Sequence, residues 1–153
     1  MEHHNLVEAF GAVAAVLGVG HVLADYVLGQ SDRQAALKGA PSQEEVAAGV
    51  SPRRGWGACL GHCVSYHLVM VGLYGALRLV VPLPALGSTT ALAWSFATHA
   101  ILDHRWPVRW ILRRLGSAGF AELREGGLTG LHLADQALHR TALIISAVLL
   151  VRL

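Results

Sequence analysis

The sequence predicts an all-α, polytopic membrane protein: a four-transmembrane-helix bundle with a short interfacial helix in its third connection. Three observations carry that prediction. Of the 153 residues, 54% are hydrophobic and 14% are charged, against about 25% charged in ordinary soluble domains, and the mean hydropathy is +0.47. Four stretches, roughly 6–28, 59–81, 86–103 and 131–153, approach the ~20 apolar residues that a helix needs to cross a bilayer. Each of the four also carries histidine or aspartate near one end. Ionisable groups are costly in lipid, so their recurrence on several spanning segments points to a shared polar site inside the bundle.

The chain reads as a single domain over residues 1–153. Its net charge of +2, from 12 basic and 10 acidic residues, is too slight to suggest nucleic acid as a partner. The N-terminal MEHHN has no lysine or arginine, which argues against a cleaved signal peptide in the first segment. His3 and His4 within it read as solvent-exposed.

The connection after the first segment contains Asp32, placed to cap a short helix, and Ser42 with Glu45 at capping-box spacing. Gln30, Asp32 and Lys38 lie just beyond the polar end, where they are either solvated loop residues or groups that reach a substrate. In the second segment, Cys59 and Cys63 are four apart, unlike a Cys-x-x-Cys motif, and read as small, reduced, buried thiols. Gly57 and Gly61 have the small-residue spacing of close helix contacts. Pro82 and Pro84 make the next turn tight, so segments two and three form a hairpin.

In the third connection, Arg105, Arg109 and Arg113 recur every four residues, with Trp106 and Trp110 beside them and Ile111, Leu112 and Leu115 behind. This pattern predicts a helix lying on anionic headgroups, with membrane lipid as its partner. His104 next to it reads as interfacial. A second copy of the chain is a further possible partner.

Basic residues orient the bundle. Arg33, Lys38, Arg53 and Arg54 lie in the first connection, and Arg105, Arg109, Arg113, Arg114 and Arg124 in the third, whereas the outer end of the central hairpin offers only Arg78. Both long connections are therefore expected in the cytoplasm and both termini outside.

That topology brings the polar residues to one depth: His21 and Asp25 on segment one, His62 on two, His99 and Asp103 on three, Asp135 and His139 on four. Residues four apart lie only ~40° around a helix axis, so His21/Asp25, His99/Asp103 and Asp135/His139 each point one way. His132 and Gln136 fall near the last stripe, and His67, ~140° from His62, is not expected to share a site with it. Four imidazoles and three carboxylates converging in a four-helix bundle resemble the donor sets of carboxylate-bridged metal centres. Mixed nitrogen and oxygen ligands suit a divalent zinc, manganese or iron ion. A ligand's place can also be taken by a carboxylate that orients a histidine from behind.

The run GHVLADYVLGQSDRQAALKG (20–39), then His62, then THAILDHR (98–105), then LADQALHR (133–140) resembles the small bacterial and phage membrane proteins of the domain-of-unknown-function family numbered 3307. The shared pattern is a histidine and aspartate four apart followed by a glutamine, an isolated histidine, a second such pair, and an Asp-Gln before a final histidine. The resemblance covers most of the chain and implies a bacterial inner-membrane location, but no activity. A looser similarity in arrangement to predicted membrane-bound metal-dependent hydrolases is an analogy. Residues 40–54 and 116–130 match no part of the pattern.

Carboxylate and imidazole ligands can hold divalent ions that lower the pKa of bound water and stabilise an oxyanion. Arginines nearby can grip phosphate. The expected function is therefore metal-dependent hydrolysis of an amphiphilic ester or phosphoester near the cytoplasmic face. Asp25 or Asp135, whichever is not a ligand, would act as general base, and Gln30, Lys38, Arg105 and Gln136 would contact substrate. Two alternatives stand beside this reading. One is a haem-binding electron-transfer bundle. The other is a non-enzymatic membrane protein whose buried His and Asp groups carry protons or ions or pin the helices together.

Overall fold

The computed structural model describes residues 3–153, with side chains from residue 6 onward; the expectation for His3 and His4 lies outside the described side chains. The chain is mostly helical. Its elements are α1 (His3–Leu23), running directly into a π-helical turn (Ala24–Leu28), α2 (Asp32–Leu37), α3 (Gln43–Ala47), α4 (Trp56–Leu77), α5 (Ala85–Asp103), α6 (Trp106–Arg114), α7 (Ala118–Glu122), a hairpin of β1 (Arg124–Glu125) and β2 (Leu128–Thr129), and α8 (Gly130–Arg152).

Three helical stretches are long and apolar enough to cross a membrane: Leu6–Leu28, Trp56–Leu77 and Gly130–Arg152. The expected third span, α5, is less apolar because Ser88, Thr89, Thr90, Ser95 and Thr98 interrupt it. Several of these hydroxyls return to carbonyls one turn back, as Thr90 Oγ1 does to Leu86 O (2.8 Å) and Thr98 Oγ1 to Trp94 O (2.8 Å). Such back-bonding satisfies a hydroxyl without water.

Helix α5 packs most extensively on α8, and α1 packs on both α8 and α4. A Cβ at Gly87 would lie 2.8 Å from Leu149 O, so glycine permits the close approach of α5 to α8 there. Similarly, the Gly20 position faces Leu73 and Met70 on α4. Gly57, by contrast, faces open space and Gly61 meets only the Gln34 side chain of α2, so the small-residue spacing in α4 does not mark a contact with another long helix.

The apolar core is formed by Val13 and Leu17 of α1, Tyr66, Met70 and Tyr74 of α4, and Leu143, Ala147 and Leu150 of α8. Large apolar side chains also point outward, among them Val19, Val64, Leu68, Ile101, Ile144 and Val148. An outward apolar surface around a polar interior suits a lipid surround.

Some boundaries differ from expectation for identifiable reasons. Helix α4 starts at Trp56, after Gly55 turns the chain at φ 96°, and ends at Leu77 instead of 81. Pro82 disfavours helix at the residue before it, and Val80 and Val81 instead turn back onto Leu77 O. The cap of α2 is Ser31, in a capping box with Gln34, and Asp32 is its first helical residue. The Ser42–Glu45 capping box of α3 is present as expected. In the previously unassigned stretch, Gly126 and Gly127 both have positive φ (56° and 82°), the backbone required by a two-residue hairpin loop.

Helix α6 forms where the Arg/Trp pattern placed it. Val108 is buried with Ala121 and Leu131, while Trp106 and Trp110 stand about half exposed.

Candidate metal centre

One end of the bundle is polar inside. Helix α1 and its π turn deliver His21 and Asp25, α4 His62, α5 His99 and Asp103, and α8 Asp135, Gln136 and His139; all are buried. The π turn, closed by Gly29 N–H to Ala24 O at 2.9 Å, adds a residue to the helical repeat at Asp25. Turns of this kind recur at functional sites. A Cβ on Gly29 would collide with Ala24 O and lie 3.0 Å from Tyr66 Cα, so glycine lets this turn sit against α4. The Gly29 carbonyl then receives His62 Nδ1–H at 3.0 Å, and the Ser65 hydroxyl as well.

Two groups of side chains can each hold a metal ion: Asp25, His62, His99 and Asp103, and then Asp103, Asp135 and His139. Asp103 belongs to both. Within the tetrad, His62 Nε2 lies 2.9 Å from Asp25 Oδ1, 3.2 Å from Asp103 Oδ2 and 3.3 Å from His99 Nε2. With Nδ1 of His62 donating to Gly29, Nε2 faces these atoms either as an N–H donor to Asp25 or as the lone pair of a neutral ring. A lone pair facing two carboxylate oxygens and another imidazole nitrogen needs a cation or a proton among them.

The triad shows the same orientation of its histidine. His139 Nδ1–H donates to Asp135 O at 2.9 Å, which aims the Nε2 lone pair inward, 3.9 Å from Asp103 Oδ1. Neither His139 Nε2 nor Asp135 Oδ1 has a hydrogen-bond partner, although both are buried. Backbone carbonyls that fix the far nitrogen of a histidine are the usual support of a metal ligand. The donor set therefore fits a divalent ion.

Several residues anticipated as ligands or substrate contacts have other partners. His21 stands outside both metal-capable groups. Tyr66 OH donates to its Nδ1 (3.1 Å), its Nε2–H donates to Gln136 Oε1 (3.0 Å), and Gln136 Nε2–H donates to Asp25 Oδ2 (2.9 Å). This chain fixes Asp25 through one oxygen and leaves the other for the tetrad, so Gln136 is committed to positioning it. Tyr66 was not singled out in the sequence, yet it follows His62 by four residues on the same face, and its ring also stacks on His99 at 3.9 Å.

Lys38 is a second departure. The loop reading placed it in solvent or near a substrate, but its ammonium is buried and donates to Asp103 Oδ2 at 3.0 Å, with Asp25 Oδ1 at 3.6 Å.

Beside the centre is a small polar cavity of about 60 Å³ lined by Asp25, Tyr26, Gln30, Lys38, Arg105, His132, Asp135 and Gln136. The Gln30 Oε1 is buried without a partner. Arg105 has φ 65°, the sole positive φ among the described non-glycine residues. Such strain tends to collect where a side chain must be aimed. His132 pairs with Tyr26 OH at 3.1 Å.

The remaining histidines and the cysteines are structural. His67 donates to Cys63 O (2.7 Å) and pairs with Ser95 Oγ (3.1 Å), apart from His62 as the helix angle required. His104 is buried, stacks on Trp56 at 4.0 Å and bonds Arg54 O, and burial pushes its pKa below the ordinary value. Cys59 and Cys63 are buried free thiols, and Cys59 donates to Ala100 O. No family model, curated protein or solved structure matches this chain.

Proposed function

We propose that the protein is a metal-dependent hydrolase of the membrane, acting on an amphiphilic phosphoester near the cytoplasmic face. In this reading α5 crosses the bilayer as a fourth span, packed on α8 so that its hydroxyls and its His99/Asp103 pair face protein. The uneven distribution of arginine puts the polar end, α6 and the long connections on the cytoplasmic side.

The observation that carries the proposal is the pair of partnerless buried atoms, Asp135 Oδ1 and His139 Nε2, in one metal-capable group with Asp103, with Asp135 also lining a polar cavity. Three protein donors next to a cavity suit a catalytic ion, which keeps a position open for water. Zinc, manganese and iron(II) all accept this donor set. When bound, such an ion supplies an activated water and stabilises charge on a phosphoryl oxygen. Arg105 and Gln30 line the cavity and are placed to grip phosphoryl oxygens. Asp25, held through Oδ2 by Gln136, is the carboxylate available to take a proton from the attacking water.

The haem alternative gains nothing from the geometry, because His62 and His99 meet Nε2 to Nε2 at 3.3 Å and leave no slot for a macrocycle. The test is to incubate protein reconstituted with zinc or manganese in lipid vesicles containing phosphomonoester and phosphodiester lipids. Release of phosphate or headgroup, abolished by Asp135→Asn, supports the proposal; no release from metal-loaded protein contradicts it.

A further inference from the structure

Lys38 is the single lysine of the chain, and it lies among three carboxylates. Asp25, Asp103 and Asp135 are 3%, 1% and 3% exposed, and Lys38 is 4% exposed. Its Nζ spans the two carboxylates of the tetrad, at 3.0 Å from Asp103 Oδ2 and 3.6 Å from Asp25 Oδ1. Those are the oxygens that a metal in the tetrad would also need, since the same atoms lie 3.2 and 2.9 Å from His62 Nε2. At the triad, by contrast, the inward atoms of Asp135 and His139 have no partner.

We infer that Lys38 is a built-in cation that takes the place of a metal at the tetrad and limits the centre to one divalent ion, held by Asp103, Asp135 and His139. This rests on the metal-dependent reading above and fixes the number and place of its ions.

The backbone around Lys38 fixes the side chain's approach. Lys38 N–H closes α2 on Gln34 O at 3.0 Å, and two residues later Ala40 N–H donates to His104 O at 2.8 Å, tying this strand to the end of α5 beside Asp103. Gly55 packs under it at φ 96°, where a Cβ would lie 2.5 Å from Gly39 O. The ammonium is thus delivered by a clamped turn.

Zinc equivalents per chain, measured by elemental mass spectrometry after equilibrium dialysis of the detergent-purified full chain, test the inference. Wild type and Lys38→Arg are expected to hold one zinc. Lys38→Met is expected to hold two, returning to one when His62→Ala is added. With Lys38 intact, His62→Ala retains the zinc and His139→Ala loses it, so the placement is read even if Lys38→Met does not fold. Two zinc ions in wild type, one in a folded Lys38→Met, or loss of zinc in His62→Ala overturns the inference and leaves the metal reading standing. No zinc in wild type overturns both.

Discussion

His139 Nε2 and Asp103 Oδ1 face each other at 3.9 Å inside the bundle, and the nitrogen has no hydrogen-bond partner at all. The other ring nitrogen donates to the Asp135 carbonyl, so the inward atom is an acceptor opposite an acceptor. Burial of such a pair is unfavourable by itself, and a cation between them reverses the sign. The same logic runs through the tetrad, where Lys38 supplies the positive charge.

Gln136→Ala tests the positioning chain. It removes the acceptor of His21 Nε2–H and the donor to Asp25 Oδ2, leaving two buried groups unsatisfied at about 1–3 kcal/mol each. Thermal unfolding in detergent is expected to show clear destabilisation. An unchanged melting temperature would contradict the chain's role.

Gly29→Ala places a methyl group against Ala24 O and the Tyr66 backbone. The π turn must then withdraw from α4, and His62 loses its carbonyl partner. A cost of about 1–3 kcal/mol is expected from the overpacking, with the ion of Asp103, Asp135 and His139 retained in the folded variant. Gly57→Ala, which meets open space, should leave both unchanged in the same assays.

Glu45 gives a pH dependence outside the membrane. Arg54, with Nη1 2.7 Å from its carboxylate, holds the Glu45 pKa down to about 2 from an ordinary 4.5. A depressed acid pKa stabilises the folded state above the unfolded value and loses that contribution as pH falls through the folded one. Amide exchange in α3 is therefore expected to quicken between about pH 4.5 and 2, and Glu45→Gln should remove that step. The pair is exposed, so the effect is local and falls with added salt.

Membrane sidedness is read by cysteine labelling. Single cysteines at Arg53 and Arg124, in a Cys59→Ala/Cys63→Ala background, are expected to react with an impermeant maleimide only in inside-out vesicles, and one at Leu79 only in right-side-out vesicles. The opposite pattern would overturn the cytoplasmic placement of the site.

Much of the centre was legible because helical spacing needs only local periodicity. His99 and Asp103, four apart, do meet at 3.4 Å, and Asp135 and His139 contribute to one group. The same arithmetic misplaced His21 relative to Asp25. Four residues apart means one face in an α-helix, but the π turn begins at Ala24, and the two share only Gln136, with Tyr66 as the other partner of His21 and His62 and Lys38 as those of Asp25. Lys38 was illegible for a different reason. A lone lysine in a polar loop looks solvated, and its burial depends on the Gly39–Gly55 packing and the Ala40–His104 bond, which are tertiary. Glycine spacing misled in the same way: the close contacts fall at Gly20, Gly29, Gly55, Gly87 and Gly130, which form no motif.

The most direct test of the account is the metal content of detergent-purified wild type against His139→Ala and Asp103→Asn, by elemental mass spectrometry with circular dichroism to verify folding. The account predicts one equivalent of zinc, manganese or iron in wild type and none in either folded variant. No metal above background in wild type, with the variants equally stable, would contradict it and leave a proton-carrying or structural bundle.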